Sequence, residues 1–262
     1  MSSPSRQSAD AIVNSLEPGM TVFLAGMTGE SLAVRDALRA NPDKAADVRF
    51  VGVFFPGIND PSYISLHARA RQRAYFMAQA FRPAFHGGRA ELLPVDYIGA
   101  WQDLSRLEID LAIVQASEPD PAGHLSLGIC HDFAPAAWIR AKRKVAHINP
   151  SMPRTHGTTS IQLSQCDAVI EAAADLIAYS AEPAHEPFTS LARHIASLVR
   201  DGDTLQLGML QTSLSRNTAW PIYEAHPSCN ARNALSQLPR LRTAPCWRPS
   251  GTNYAYHSDT VQ

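Results

Sequence analysis

Apolar positions along this chain fall into two rhythms. Short unbroken runs alternate with longer stretches in which apolar residues return roughly every three to four positions. An unbroken run bounded by turn residues marks a strand covered on both faces, and the longer period marks a helix with one buried stripe. "MTVFLAG" (20–26), "VRFVGVFF" (48–55), "IDLAIVQAS" (109–117) and "VAHIN" (145–149) are of the first kind and predict buried strands. "RAELLPV" (89–95) and "DAVIEAA" (167–173) predict weaker ones. "ESLAVRDALRA" (30–40) sets Leu32, Ala33, Ala37 and Leu38 near one helical face, with Thr28 and Gly29 where an N-cap belongs. "ARARQRAYFMAQAF" (68–81), "DFAPAAWIRAKRK" (132–144) and "EPFTSLARHIASLVRDG" (186–202) predict further helices, the first with Arg69, Arg71 and Arg73 on a solvated face. "DTLQLG" (203–208) follows the last of them as a strand.

Strands alternating with helices at this spacing predict an open α/β fold, a mostly parallel sheet flanked by helices. The proline-bearing "YSAEPAHEPF" (179–188) reads as an interdomain linker. It divides a first domain, residues 1–185, from the start of a second, residues 186–208. From Met209 both rhythms stop. Residues 209–262 are rich in Ser, Thr, Asn, Pro and Arg and hold only two acids, Glu224 and Asp259.

Composition narrows the function classes. Hydrophobic residues make up 45% of the 262 and charged residues 18%, ordinary for a globular protein, and the net charge of -1 offers no basic field for nucleic acid. Lys44, Lys142 and Lys144 are the only lysines, so the arginine excess reads as codon bias. Cys130, Cys166, Cys229 and Cys246 form no CxxC pair, which leaves no zinc or redox motif and a reducing compartment as the default. The N-terminus lacks the apolar core of a signal peptide, and no apolar run reaches the ~18–20 residues of a membrane helix. The expectation is a cytoplasmic protein that binds neither nucleic acid nor membrane.

Candidate chemistry gathers in the loops that follow strands, because ligands of open α/β sheets bind outside the strands' carboxyl ends. "GMTGES" joins a strand to a helix, and its amides after Gly26 suit an anion or carboxylate. It is neither GxGxxG nor a P-loop, and a plain tight turn is the alternative. In "FFPGIND", Pro56 stiffens the loop, Gly57 lets backbone approach a ligand and Asn59 can donate to a carbonyl; an Asx turn is the alternative. "SEPDPAGHLSLG" is a stiff site wall with Pro119, Pro121 and the bend-permitting Gly123. Its Glu118, Asp120 and His124 are acid/base groups without a paired nucleophile, and His124 and His131 have no carboxylate at metal-ligand spacing. Ser151, in "HINPSMPRTHG", is not in a nucleophile elbow.

Taken in order, "FFPGIND", "DLAIVQASEPDPAGHLSLG", "AHINPSMPRTHG" and "DGDTLQLG" resemble the acetyl-CoA hydrolase/transferase family, class I CoA-transferases of the 4-hydroxybutyrate and acetate type. The most specific element is Pro119-Asp120, Gly123 and Ser126-Leu127-Gly128; the next is Asn149-Pro150, Met152-Pro153, Thr155 and Gly157. The resemblance implies two similar α/β domains with the site between them. It implies acyl-CoA and a short-chain carboxylate as substrates, with coenzyme A entering as a thioester substrate and no resident cofactor, and it leaves self-association as a homo-oligomer open. Gly26, Pro56, Gly57, Asn59, Pro119, Asp120, Gly123, Met152, Pro153 and Gly208 would then face substrate. In the family a glycine loop follows the strand that here ends at Gly208, and a later strand presents a glutamate. That carboxylate attacks the thioester to give an acyl-glutamyl anhydride and then a glutamyl-CoA thioester. Here "MLQTSLSRNTAWPIYEAHPS" follows Gly208, without the second glycine and proline of that loop, and Glu224 sits in no strand pattern. The expectation is a reading frame that shifts near Met209, a truncated second domain and an impaired site with no assignable catalytic residue. A genuine divergent tail, or a non-catalytic ligand-binding or scaffold protein that keeps the first domain, is the alternative.

Overall fold

A computed structural model describes residues 3–178, apart from 56–57, 60–61, 78 and 156–159, together with a few separate positions between 186 and 198. Internal contacts divide the chain into two units, Met1–Ala178 and Tyr179–Gln262.

The first unit is wound around one sheet. Its elements run β1 (Ser5–Arg6), α1 (Ala9–Asn14), β2 (Thr21–Leu24), α2 (Leu32–Ala40), β3 (Arg49–Val51), β4 (Arg71–Ala74), α3 (Arg82–His86) and β5 (Ala90–Leu92). Then come α4 (Tyr97–Leu104), β6 (Ile109–Ala116), β7 (His124–Ser126), α5 (Ala134–Arg140), β8 (Ala141–Ile148), β9 (Ser160–Gln162) and β10 (Ala168–Glu171). Eight strands pair in the order β1-β10-β8-β6-β2-β3-β4-β5, every pair parallel. β7 and β9 form a separate antiparallel ribbon.

A parallel sheet needs cover on both faces, and alternate residues of each strand supply it. Val22, Leu24, Phe50, Leu111, Ile113, Val145 and Ile170 pack with Ile12 and Val13 of α1 and Val34 and Leu38 of α2. Phe23, Val51, Ala112, Val114, Ala146 and Val169 point the other way, against Ala100 and Leu104 of α4 and Ala134, Ala137 and Trp138 of α5. The result is a three-layer α/β/α domain, as the alternating pattern predicts.

Strand order also locates the place where a site can form. From β2 the chain winds outward through β3, β4 and β5, then returns to β2's other side and winds outward through β6, β8 and β10. The order reverses between β2 and β6, so the loops leaving their carboxyl ends diverge and open a crevice.

Three expectations are corrected. The helix predicted over 132–144 ends at Arg140, and Ala141–Lys144 is the first half of β8, registered on β6. Residues 68–81 are not a helix. Arg71–Ala74 is a strand, registered on β3 and β5. Tertiary partners override its helix-compatible composition: Arg73 pairs with Glu91 of β5 at 2.8 Å and with Asp103 of α4 at 3.0 Å, and the Tyr75 hydroxyl donates to Asp103. The N-cap of α2 is Ser31, whose Oγ accepts from the Val34 amide, because Met27–Gly29 is spent in a tight 3-10 turn.

Candidate functional site

At the end of β2, Gly26 runs so close to β3 that an added Cβ would lie 1.9 Å from the Val53 carbonyl oxygen. Only glycine fits there. The chain then enters the 3-10 turn with Met27 buried and in the left-handed region, φ 53°. Asn59, from the loop after β3, holds this turn. Its Oδ1 accepts from the amides of Met27 (2.9 Å) and Phe55 (3.1 Å), and its Nδ2 donates to Met27 O and Glu30 Oε2, both at 2.8 Å. The side chain's two donors and two lone pairs are all engaged, so Asn59 clamps two loops together. The Met27 amide is likewise taken by Asn59 and the Gly29 amide by Gly26 O.

Glu30 is the buried charge of this cluster, 1% exposed. Burial pushes its carboxyl above the usual range, opposed by hydrogen bonds from Tyr63 and Asn59 and by Arg35 and Arg39. The Tyr63 hydroxyl makes a short hydrogen bond to Glu30 Oε1. Burial, then the Glu30 charge, push that phenol well above its ordinary value, so it remains a donor.

The network continues toward β8. Gln115 of β6 donates to Glu30 O at 3.3 Å, and Asn149 donates to Gln115 Oε1 and to Ala174 O, both at 2.9 Å. Beside it, Ser31 Oγ lies 2.8 Å from His147 Nδ1, and His147 Nε2 lies 2.9 Å from Ala172 O. A carbonyl only accepts, which assigns the proton to Nε2 and makes Ser31 the donor to Nδ1. Burial lowers the pKa of His147 and keeps it neutral. The carboxyl ends of β2, β3, β6 and β8 are thus joined by fully buried polar groups whose partners all lie within the protein.

The two proline loops form one joint. Gly128 sits at φ 66°, and a Cβ there would meet Met152 Sδ at 2.1 Å. Ser126 Oγ accepts from the amides of Gly128 (3.1 Å) and Thr155 (3.2 Å), while Thr155 Oγ1 donates to Gly128 O at 3.1 Å. Asp120 closes its own loop, accepting from the amides of Ala122 (2.9 Å) and His124 (2.8 Å); those bonds, the His124 amide first, hold its carboxyl below the usual range. Gly123 turns there at φ 79°. Arg154 fastens the second loop to the first by donating to Glu118 O and His124 O.

Comparison with known proteins is decisive at this point. The acetyl-CoA hydrolase/transferase N-terminal domain matches residues 5–179. The chain belongs to the acetyl-CoA hydrolase/transferase family. It is 30% identical over 203 residues to a 4-hydroxybutyrate coenzyme A transferase of Clostridium kluyveri, covering 77% of this chain and 47% of that one. It is 32% identical over 143 residues to a succinyl-CoA:acetate/propanoyl-CoA:succinate CoA transferase of Fasciola hepatica, covering 53% of this chain and 30% of that one. In fold it matches a 4-hydroxybutyrate CoA-transferase from Porphyromonas gingivalis (TM-score 0.61, 24% identity, 85% of this chain and 52% of that chain). It also matches RipA from Yersinia pestis (TM-score 0.70, 24% identity, 79% of this chain and 51% of that chain). The chain spans about half the length, or less, of these relatives.

Of the residues that the family resemblance places toward substrate, Gly26 and Asn59 meet at the ends of β2 and β3. Pro119, Asp120 and Gly123 lie in the loop after β6, and Met152 and Pro153 in the loop after β8. Pro56, Gly57 and Gly208 lie outside the described residues. The sequence reading missed Glu30, Tyr63, Ser31, His147 and Gln115, and it passed over Asp132. Glu30 directly after a strand-ending glycine turn was the available signal. Its partners lie 29 and 33 positions away, beyond any local pattern. Among the described residues no cluster of three or more His, Cys, Asp or Glu is placed to hold a metal, and no helix is long and apolar enough to cross a membrane.

Proposed function

We propose that Met1–Ala178 is the substrate-facing half of a CoA-transferase site, for exchange of CoA between an acyl-CoA and a short-chain carboxylate, or for acyl-CoA hydrolysis when water is the acceptor. The observation that carries this is the joint between the SLG and PSMPRT segments, set beside the β2/β6 reversal and rigidified by the Glu30–Asn59–Tyr63 cluster. Such a frame holds loops in one geometry before substrate arrives, which is where an acyl-transfer enzyme gains most of its advantage. Coenzyme A enters this scheme as a substrate, and the compartment is the cytoplasm.

The scheme includes low turnover by the chain itself. A glutamate nucleophile is required, and the segment after Gly208 holds one glutamate, Glu224, near Pro221 and His226 and free of strand pattern. A ligand-binding protein that keeps the first domain is the second reading, favoured by the same segment. The test mixes the full chain with acetyl-CoA and a short carboxylate, follows acyl exchange, and traps a glutamyl thioester with borohydride. Substrate binding with negligible exchange is the expected result. Exchange at enzymic rates with the trapped label on Glu224 would overturn the low-turnover part. Absence of any acyl-CoA or carboxylate binding would overturn the whole.

A further inference from the structure

The two helical layers of the first unit differ on their outward faces. α2 obeys the amphipathic rule: Val34, Ala37 and Leu38 are buried, and Asp36 and Arg39 face water. α4 does not. Ala100 and Leu104 are buried and Asp103 is taken up by Arg73 and Tyr75, yet the exposed positions are Tyr97, Ile98, Trp101 and Gln102, none of them charged. Ile98 is 67% exposed, Tyr97 48%, Trp101 42% and Val95, just before the helix, 40%. Val95 lies against Gly99 and so continues the same surface. A helix that is apolar on its outer side as well as its inner side is built to be covered on both. The two large rings are also fixed in place. Tyr97 stacks on Phe133 with ring centroids 5.5 Å apart, and Trp101 lies 6.4 Å from the same ring. A surface whose aromatic side chains are already ordered loses little entropy when it is covered.

We propose that the outer face of α4 is a self-association surface, and that its occupant is α4 of a second copy of this chain, related by a two-fold axis. Two observations select a second copy. The face carries no charge, so meeting its own image brings no like-charge repulsion, whereas an acidic or basic partner finds nothing there to pair with. The area also fits. The four side chains leave roughly 450 Å² exposed, within the ~300–600 Å² that on a single molecule marks a functional patch. A two-fold contact hides that area twice, about 900 Å², and Gln102 at the rim brings the total near the ~1,000 Å² that a specific interface needs. This is the low end of the range, so the pair is a reversible dimer with a micromolar dissociation constant. Ile98 stands midway between Val95 and Trp101 and is the most exposed of the four, which puts it at the axis, facing its own counterpart. The proposal uses none of the loops at the strand ends and is independent of the CoA-transfer reading.

The experiment is sedimentation velocity of the full chain over a micromolar to submillimolar concentration series. The unaltered protein should pass reversibly from one copy to two. Ile98→Glu sets two carboxylates against each other across the axis and should raise the dissociation constant about tenfold or more. Ile98 is mostly exposed, so the near-ultraviolet circular dichroism of that variant should match the unaltered chain. Ile98→Lys should dissociate in the same way. An equimolar mixture of the two variants should regain the two-copy species, because a glutamate then meets a lysine. Leu198→Glu, at an exposed apolar position of the second unit, should leave association unchanged. A chain that stays single at every concentration overturns the proposal, whether or not any variant folds. So does a dimer that survives Ile98→Glu, a dimer that Leu198→Glu disrupts, or a pair of charged variants that remain apart on mixing.

Discussion

At the scale of single residues, the glycines were the most legible part of the site. Gly26, Gly123 and Gly128 each follow a strand or a proline loop, and each proves to be a close approach or a left-handed turn. Gly128→Ala should cost about 2–4 kcal/mol, because it combines backbone strain with a collision against Met152; urea midpoints at constant m-value measure it. Asn59 illustrates what a sequence hides. Its residue type announces a loop hydrogen bond, but only the fold decides that all its capacity goes to Met27, Phe55 and Glu30. Asp132 makes a second, pH-resolved prediction. Its folded value of about 7 lies above the unfolded 3.8, so the native state binds the extra proton between those limits. The stability it lends is fully present below about pH 4 and is lost as pH rises toward 7, by up to ~1.4 kcal/mol per pH unit. The difference between the unaltered protein and Asp132→Asn, followed by denaturant melts from pH 4 to 8, should show that slope and then level off.

At the scale of elements, period and run length placed β2, β3, β6 and α2 because each has an unambiguous local signal. β1, β7 and β9 span two or three residues, too few to carry a period, and they form only through partners distant in sequence. β4 was misread for a different reason. Its Arg-Gln-Arg-Ala composition favours a helix, and its strand state comes from β3, β5 and the Arg73 pairs. The helix α4 carried a readable start, Asp96 accepting from the Gly99 amide at 2.7 Å. β4 also contains an energetic flaw that can be measured. Gln72 is 1% exposed, and neither its Oε1 nor its Nε2 has a partner among the described residues. Gln72→Met preserves the volume and removes two unsatisfied groups, so it should stabilise the domain by about 1–3 kcal/mol. A neutral or destabilising result in thermal unfolding would show that the amide is satisfied by water.

At the scale of the whole molecule, the division of contacts after Ala178 sits beside the proline-bearing stretch that reads as a linker. Both faces of the sheet are covered from within Met1–Ala178, by α1 and α2 on one side and α4 and α5 on the other. A fragment of those residues should therefore unfold cooperatively, with coincident near- and far-ultraviolet circular dichroism transitions. A broad transition lacking near-ultraviolet signal would mean that the sheet borrows its cover from the rest of the chain. What no local pattern reveals at this scale is the reversal between β2 and β6, since strand order depends on pairings made across ~90 residues of chain.

The unequal lengths of β8 and β10 have a consequence for solubility. β10 pairs with Val145–Ile148 and Asp167 just before it bonds the Lys144 backbone, so Ala141–Arg143 of β8 have a ladder partner on the β6 side alone. Such a half-open strand is a template for another chain's edge. Here the first half of β8 reads Ala-Lys-Arg-Lys, and Lys142 is solvent-facing even while paired with Asp110. Charge guards a stretch of interior strand that its neighbour is too short to cover. Replacing Lys142 and Lys144 with Val would keep the strand and remove the guard, and concentration-dependent light scattering should then rise well before the domain's melting point shifts.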